Sequence, residues 1–269
     1  MSITRQQSSQ QSSQQSSQQS SPQSSQQSSP QAQPQQSSPQ QSRPQAAEQV
    51  AQGASGAGKE FDRQVENLLR LGYPARAGLD EQAFAAVVTP LRSAAVAHGA
   101  ALPAPDPAEG RVPFVLVVAR ALVPVEESMS LTVLPGRTGT GFVDRSFEPG
   151  SVARFVPAEG VDLPDGRAYL LFGVERGEEF CGAVPNTAME TVARRGRTLL
   201  TMEEGIALVT QHPGILVKNK CFSLGGSRCG DSRVPAIWIS RNTPKLGWCW
   251  EGNPHTWLGM ASAAHRAAE

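Results

Sequence analysis

The chain has 269 residues, with 24 Lys and Arg against 24 Asp and Glu, four His and four Cys, for a formal net charge of +0. That balance lacks the basic excess that binding to a phosphate backbone requires, so nucleic acid is not an expected partner. No apolar run approaches the roughly 20 residues of a membrane span, and the N-terminus has no apolar signal-peptide core, so a cytoplasmic protein with reduced thiols and no membrane association is expected.

The first segment is Gln/Ser/Pro-rich. Gln-Ser-Ser triplets repeat through most of the first thirty residues, and Pro punctuates the run at 22, 30, 34, 39 and 44. Met1 and Ile3 are the only large apolar residues before Val50. Such a segment cannot bury enough surface to offset the entropy of ordering, so residues 1–57 are expected to be a disordered, dispensable tail. Arg5, Arg43 and Glu48 are its only charges, which leaves 22 basic and 23 acidic residues for a single domain over 58–269. Basic residues are mostly Arg, a bias that, with abundant Ala, Gly and Pro, points to a GC-rich genome.

After a Gly/Ala linker (53–58), Phe61, Val65, Leu68 and Leu69 recur at helical spacing, stopped by Gly72 and Pro74. Asp80 caps a second helix, with Leu79 and Phe84 at hydrophobic-staple positions. Thr89-Pro90 restarts it, and Gly99 ends it. A Pro-rich connector (102–107) leads to 111–120, apolar on both faces and therefore a central strand. Segments 131–134 and 168–174 read as further strands, and 136–141 as a turn. Helices follow at about 187–195 and 202–211, the latter opened by the capping box Thr201-Met-Glu-Glu204. Residues 221–261 read as a strand meander. Strands and helices are segregated rather than alternating, so the expected fold is α+β: N-terminal helices, a mixed or antiparallel sheet and a C-terminal meander. Arg111-Val-Pro113 and Arg233-Val-Pro235 each open a strand, a faint sign of duplication.

All four Trp (238, 248, 250, 257) and three of four Cys (221, 229, 249) lie close together, with His255 among them. Cys221, Cys229, Cys249 and His255 are one candidate zinc set, but they lack the close ligand pairs of structural zinc sites, so no metal and no cofactor is expected. Taking Glu251-Gly-Asn-Pro254 as a turn that pairs 245–250 with 255–260 places Trp248, Trp250, His255 and Trp257 on one face and Cys249 on the other. That face is either core packing or a platform for a flat or cationic ligand. Gly225-Gly-Ser-Arg-Cys-Gly230 has phosphate-loop glycines, but Asp231-Ser232 stands where Lys-Ser/Thr is needed. Arg228 and Asp231 then form a turn ion pair, or Arg228 contacts an anion. Glu175, Glu178 and Glu179 read as solvated carboxylates rather than an acid–base pair. His98 and His265 receive no role.

Arg176-Gly-Glu-Glu-Phe180, Glu204-Gly-Ile-Ala-Leu208, Cys221-Phe-Ser-Leu224, Pro244-Lys-Leu-Gly-Trp-Cys-Trp250 and Asn253-Pro-His-Thr-Trp257 resemble a family of uncharacterised actinobacterial proteins over about 58–262. The resemblance implies one domain of unknown function in a bacterial cytoplasm, and no reaction, cofactor or site residue. The expected function is a non-catalytic module binding an unidentified small molecule or protein, with Trp248, Trp250, His255, Trp257, Arg228 and Asp231 in its recognition region at 221–257. The alternatives are a small enzyme using Cys229 or Cys221 as nucleophile with His255 or His212 as base, and the zinc domain.

Overall fold

The computed structural model describes residues 42–268. The expectation for residues 1–41 lies outside the described residues. From Ser42 onward the chain is helical, so the expected linker is instead the body of the first helix, α1 (Ser42–Arg70). Its small residues are contact points. A Cβ at Gly53 would lie 2.3 Å from the Ala100 carbonyl oxygen, and Ala57 is buried. Without side chains in the way, α1 approaches a neighbouring helix at close range, and this outweighs the poor helix propensity of Gly.

Four-residue α2 (Tyr73–Arg76) follows Gly72 at φ 82. Helix α3 (Glu81–Val88) is capped by Asp80, whose carboxylate accepts from the Ala83 N–H at 2.7 Å. A 3₁₀ turn leads into α4 (Arg92–Gly99), the helix that packs on α1. Strand β1 (Arg111–Val118) is buried on both faces, but it stands at the end of its sheet rather than at the centre that its two-sided apolar pattern predicts. A helix the sequence did not announce, α5 (Val125–Ser130), follows. Residues 131–134 are not a strand; only Val133 bridges to Thr140. Next come β2 (Phe142–Val143), β3 (Val156–Pro157), β4 (Ala168–Glu175), α6 (Pro185–Arg194), β5 (Thr198–Leu199) and α7 (Met202–Gln211). The last third holds β6 (Cys221–Ser223), β7 (Ser227–Arg228), β8 (Arg233–Ser240), β9 (Thr243–Trp250), β10 (Leu258–Met260), β11 (Ser262–Ala263) and β12 (His265–Ala267).

Two five-stranded sheets result. The first runs β1-β4-β11-β5, with β12 also on β4; the second runs β10-β6-β8-β9-β2. The first is antiparallel, whereas β10–β6 and β2–β9 are parallel pairs in the second. Alternation on β1 and β4 explains the two-sided burial. Phe114, Leu116, Leu170 and Phe172 face the helical layer, and Val115, Val117, Tyr169 and Leu171 face the other core. Each such side chain contributes roughly 1.5–3 kcal/mol on burial.

Between the sheets lies α7, touching β1 and β8 and buried along all ten residues. It has the predicted capping box: the Thr201 hydroxyl accepts from Glu204 N–H, and the Glu204 carboxylate accepts from Thr201 N–H at 2.8 Å. The same carboxylate, fully buried, meets Arg266 of β12 at 2.5 Å and accepts from the Tyr169 hydroxyl at 3.1 Å. Arg266 also donates to Thr198 Oγ1 and the Leu199 carbonyl, so the buried charges are paired and hydrogen-bonded.

The outer edge of β1 is finished by a side chain. Gln64 of α1 donates to the Phe114 carbonyl at 3.0 Å and accepts from the Leu116 N–H at 2.7 Å, taking the place of a neighbouring strand.

Candidate functional site

The Trp- and Cys-rich segment is built on a β8–β9 hairpin. Ser240 pairs with Thr243 around Arg241 and Asn242, which both take positive φ (51° and 63°), as a two-residue type I′ turn demands. Register runs from there to Arg233↔Trp250, with Val234↔Cys249 and Trp238↔Lys245 between. Opposed residues share a face, so Trp238, Lys245, Gly247 and Cys249 lie on one side and Arg233, Trp248 and Trp250 on the other. Gly247 leaves room for the Trp238 ring, 2.1 Å from where a Cβ would stand.

The hairpin expected between 245–250 and 255–260 does not form. Glu251–Pro254 does turn, with Asn253 N–H on the Trp250 carbonyl at 3.0 Å, but the chain then crosses to β6 and β10 pairs with it in parallel. The four expected side chains therefore do not make one platform. Trp248 stacks edge-to-face on Trp250 with centroids 4.8 Å apart, while Trp257 meets Trp238 at 5.8 Å and His255 at 5.3 Å. Trp250 is 48% exposed and stands at the surface.

Charges surround the first pair, in a different pairing from the expected one. Arg228 forms its ion pair with Glu251 and reaches only the backbone carbonyl of Asp231, at 3.0 Å. The Asp231 carboxylate binds Arg233 at 2.7 Å, because the bend at 231–232 turns it back onto the strand that follows. Hydrogen bonding from Arg233 holds the Asp231 carboxyl well below the usual carboxylate range, and Arg228 lowers Glu251 in the same way. The Arg233 guanidinium lies 5.5 Å from the Trp248 ring centroid and 5.4 Å from that of Phe155.

None of the four thiols is activated. Burial raises the pKa of Cys181, Cys221 and Cys229, and pushes Cys249 to about 11. Cys221 donates to the Val217 carbonyl and Cys229 to Asp231, not to a histidine. His212 is buried at the end of α7, where desolvation depresses it to about 4 despite Glu60 at 3.5 Å. Among the described residues no group of three or more His, Cys, Asp or Glu side chains is placed to hold a metal, so Cys221, Cys229, Cys249 and His255 do not converge. Glu175, Glu178 and Glu179 are each tied to a different cation: Arg197 at 3.4 Å, Lys220 at 2.7 Å and Arg195 at 2.6 Å.

A feature missed in the sequence lies at the ends of β1 and β4. The Pro-rich connector, the start of β1, Gly173 (φ 58°) and Ala264 enclose a cleft of about 370 Å³, lined by Asp106, Arg111, Glu175 and Arg197. The available signal was the opposite charges of Asp106 and Arg111 on either side of the Pro107–Gly110 turn. His98 and His265, given no role above, meet at 5.5 Å, with His265 stacked on Phe172 at 4.9 Å.

No curated protein and no solved structure matches the chain. One family model does, from Asn67 within α1 through β12, and the chain belongs to that family of unknown function (DUF5701) over residues 67–269.

Proposed function

We propose that the protein is a non-catalytic binding module whose recognition surface is the 221–257 region, centred on Trp250. The observation that carries this reading is the half-exposed Trp250 ring held edge-to-face on Trp248 at 4.8 Å. An aromatic pair of this kind is worth about 0.5–1.5 kcal/mol beyond its buried area, which favours this one orientation of the exposed indole. Its free face suits a flat or cationic ligand. Arg228, Asp231, Arg233 and Glu251 neutralise one another around it and fix the rim. The raised thiols weigh against the cysteine-enzyme alternative. Free cysteines fit a cytoplasmic setting, the Arg-rich composition a GC-rich genome, and the resemblance given above an actinobacterial source.

Tryptophan fluorescence tests the reading, with adenosine as the flat probe and tetramethylammonium as the cationic one. A saturable change with at least one probe is expected in the wild type, lost in Trp250→Ala and kept in Trp257→Phe. Unsaturable changes with both probes, or equal saturation in Trp250→Ala, overturn it.

A further inference from the structure

The cleft at the ends of β1 and β4 carries a charge pattern that its own residues leave unfinished. Two arginines and two carboxylates line it. Arg197 and Glu175 satisfy each other at 3.4 Å, and Arg197 is further fixed by the Gly173 carbonyl at 2.7 Å and Ser262 Oγ at 2.9 Å. Asp106 and Arg111 remain. They face each other across an antiparallel bridge, Asp106 N–H to Arg111 O at 2.8 Å and Arg111 N–H to Asp106 O at 3.0 Å, which puts both side chains on one face. Yet among the described residues neither forms an ion pair, with the other or with any third group. Among those residues the Asp106 carboxylate accepts only the Glu109 N–H, at 3.2 Å. One positive and one negative charge thus stand side by side at the mouth of a cleft whose remaining surface is largely apolar: Leu102, Pro103, Val112 and Pro113.

We infer that this cleft binds a free α-amino acid with an apolar side chain. Its carboxylate meets the planar fork of Arg111, its ammonium meets Asp106, and its side chain lies on the prolines and Leu102. A zwitterion carries its two charges about one carbon apart, matching adjacent residues of opposite sign. A simple anion would face Asp106 unpaired, and a simple cation would face Arg111. The volume of about 370 Å³ falls within the range of small-molecule sites. The inference involves none of the residues near Trp250.

Calorimetric titration of the full chain with L-phenylalanine, 3-phenylpropionate and phenethylamine tests it. Removing either charge of the zwitterion is expected to weaken binding about tenfold, so L-phenylalanine should bind at least that much more tightly than either analogue. Arg111→Gln should erase the advantage over phenethylamine while keeping that over 3-phenylpropionate. Asp106→Asn, which retains an acceptor for the Glu109 N–H, should do the reverse. Equal binding of all three ligands to the wild type, no heat from L-phenylalanine at millimolar concentration, or unchanged preferences in both variants would overturn it.

Discussion

Gln64 and His212 show how much single side chains decide at the seam between α1 and the rest. Gln64→Ala leaves a buried carbonyl on Phe114 and a buried N–H on Leu116 without partners, at an expected cost of about 1–3 kcal/mol in urea unfolding. Gln64→Glu should also destabilise, since a carboxylate cannot donate to Phe114; wild-type stability in both variants would deny the edge-capping role. His212 is held neutral by burial, with its pKa lowered from 6.5 to about 4. The unfolded chain therefore takes up a proton between those values that the folded chain refuses, and stability falls as pH falls through that window. Desolvation and the His98 charge lower His265 in the same direction. Glu60, whose burial is outweighed by hydrogen bonds from Arg63 and Gln64, loses its contribution only below its ordinary 4.5. The urea midpoint should accordingly drop between pH 6.5 and 4.5, and His212→Gln should flatten most of that drop; an unchanged slope would place its origin elsewhere.

Among elements, those specified locally were legible and those specified by a distant partner were not. Asp80, Thr201 and Glu204 announced α3 and α7 because a cap is satisfied within a few residues. The doubly apolar run at 111–118 announced a strand buried on both faces, but not its place at the sheet edge, where the distant Gln64 takes the position of a neighbouring strand. The partner of β9 was misread, because Glu251–Pro254 is a real turn whose exit direction is set by β6, some thirty residues upstream. The turn that does make the hairpin, Arg241-Asn242, lacks the Gly that usually marks it. At the candidate site the aromatic region was visible in composition, but its division between two faces was not. Helix α1 is the plainest correction: Gly53 and Ala57 looked like linker because small residues serve both loops and close helix contacts. The boundary of what can be dispensed with moves accordingly. Removal of 1–41 should leave the melting temperature unchanged, while removal of 1–57 should lower it by several degrees in calorimetry. Equal melting of the two truncations would show that the α1–α4 contact carries no stability.

Within the described residues, α7 and the Glu204–Arg266 pair join the two sheets. Breaking such a pair from one side is costlier than its absence, because a buried charge is left alone. Glu204→Gln should cost about 3–5 kcal/mol in urea unfolding, and the double change Glu204→Leu with Arg266→Met should recover part of that stability. A double variant as unstable as the sum of its single changes would mean the two groups act independently.

The placement of β11 and β12 also orders events in time. Strand β4 needs a neighbour on each side, and the residues filling one side, 262–267, are synthesised almost a hundred positions after it. During translation β1 and β4 can pair and the N-terminal helices can settle on them. Glu204 meanwhile waits in a half-built interior for a cation that the ribosome has not yet made. The nascent protein must shelter an open sheet edge and a lone carboxylate until β12 emerges, and a stall shortly before residue 262 would expose both.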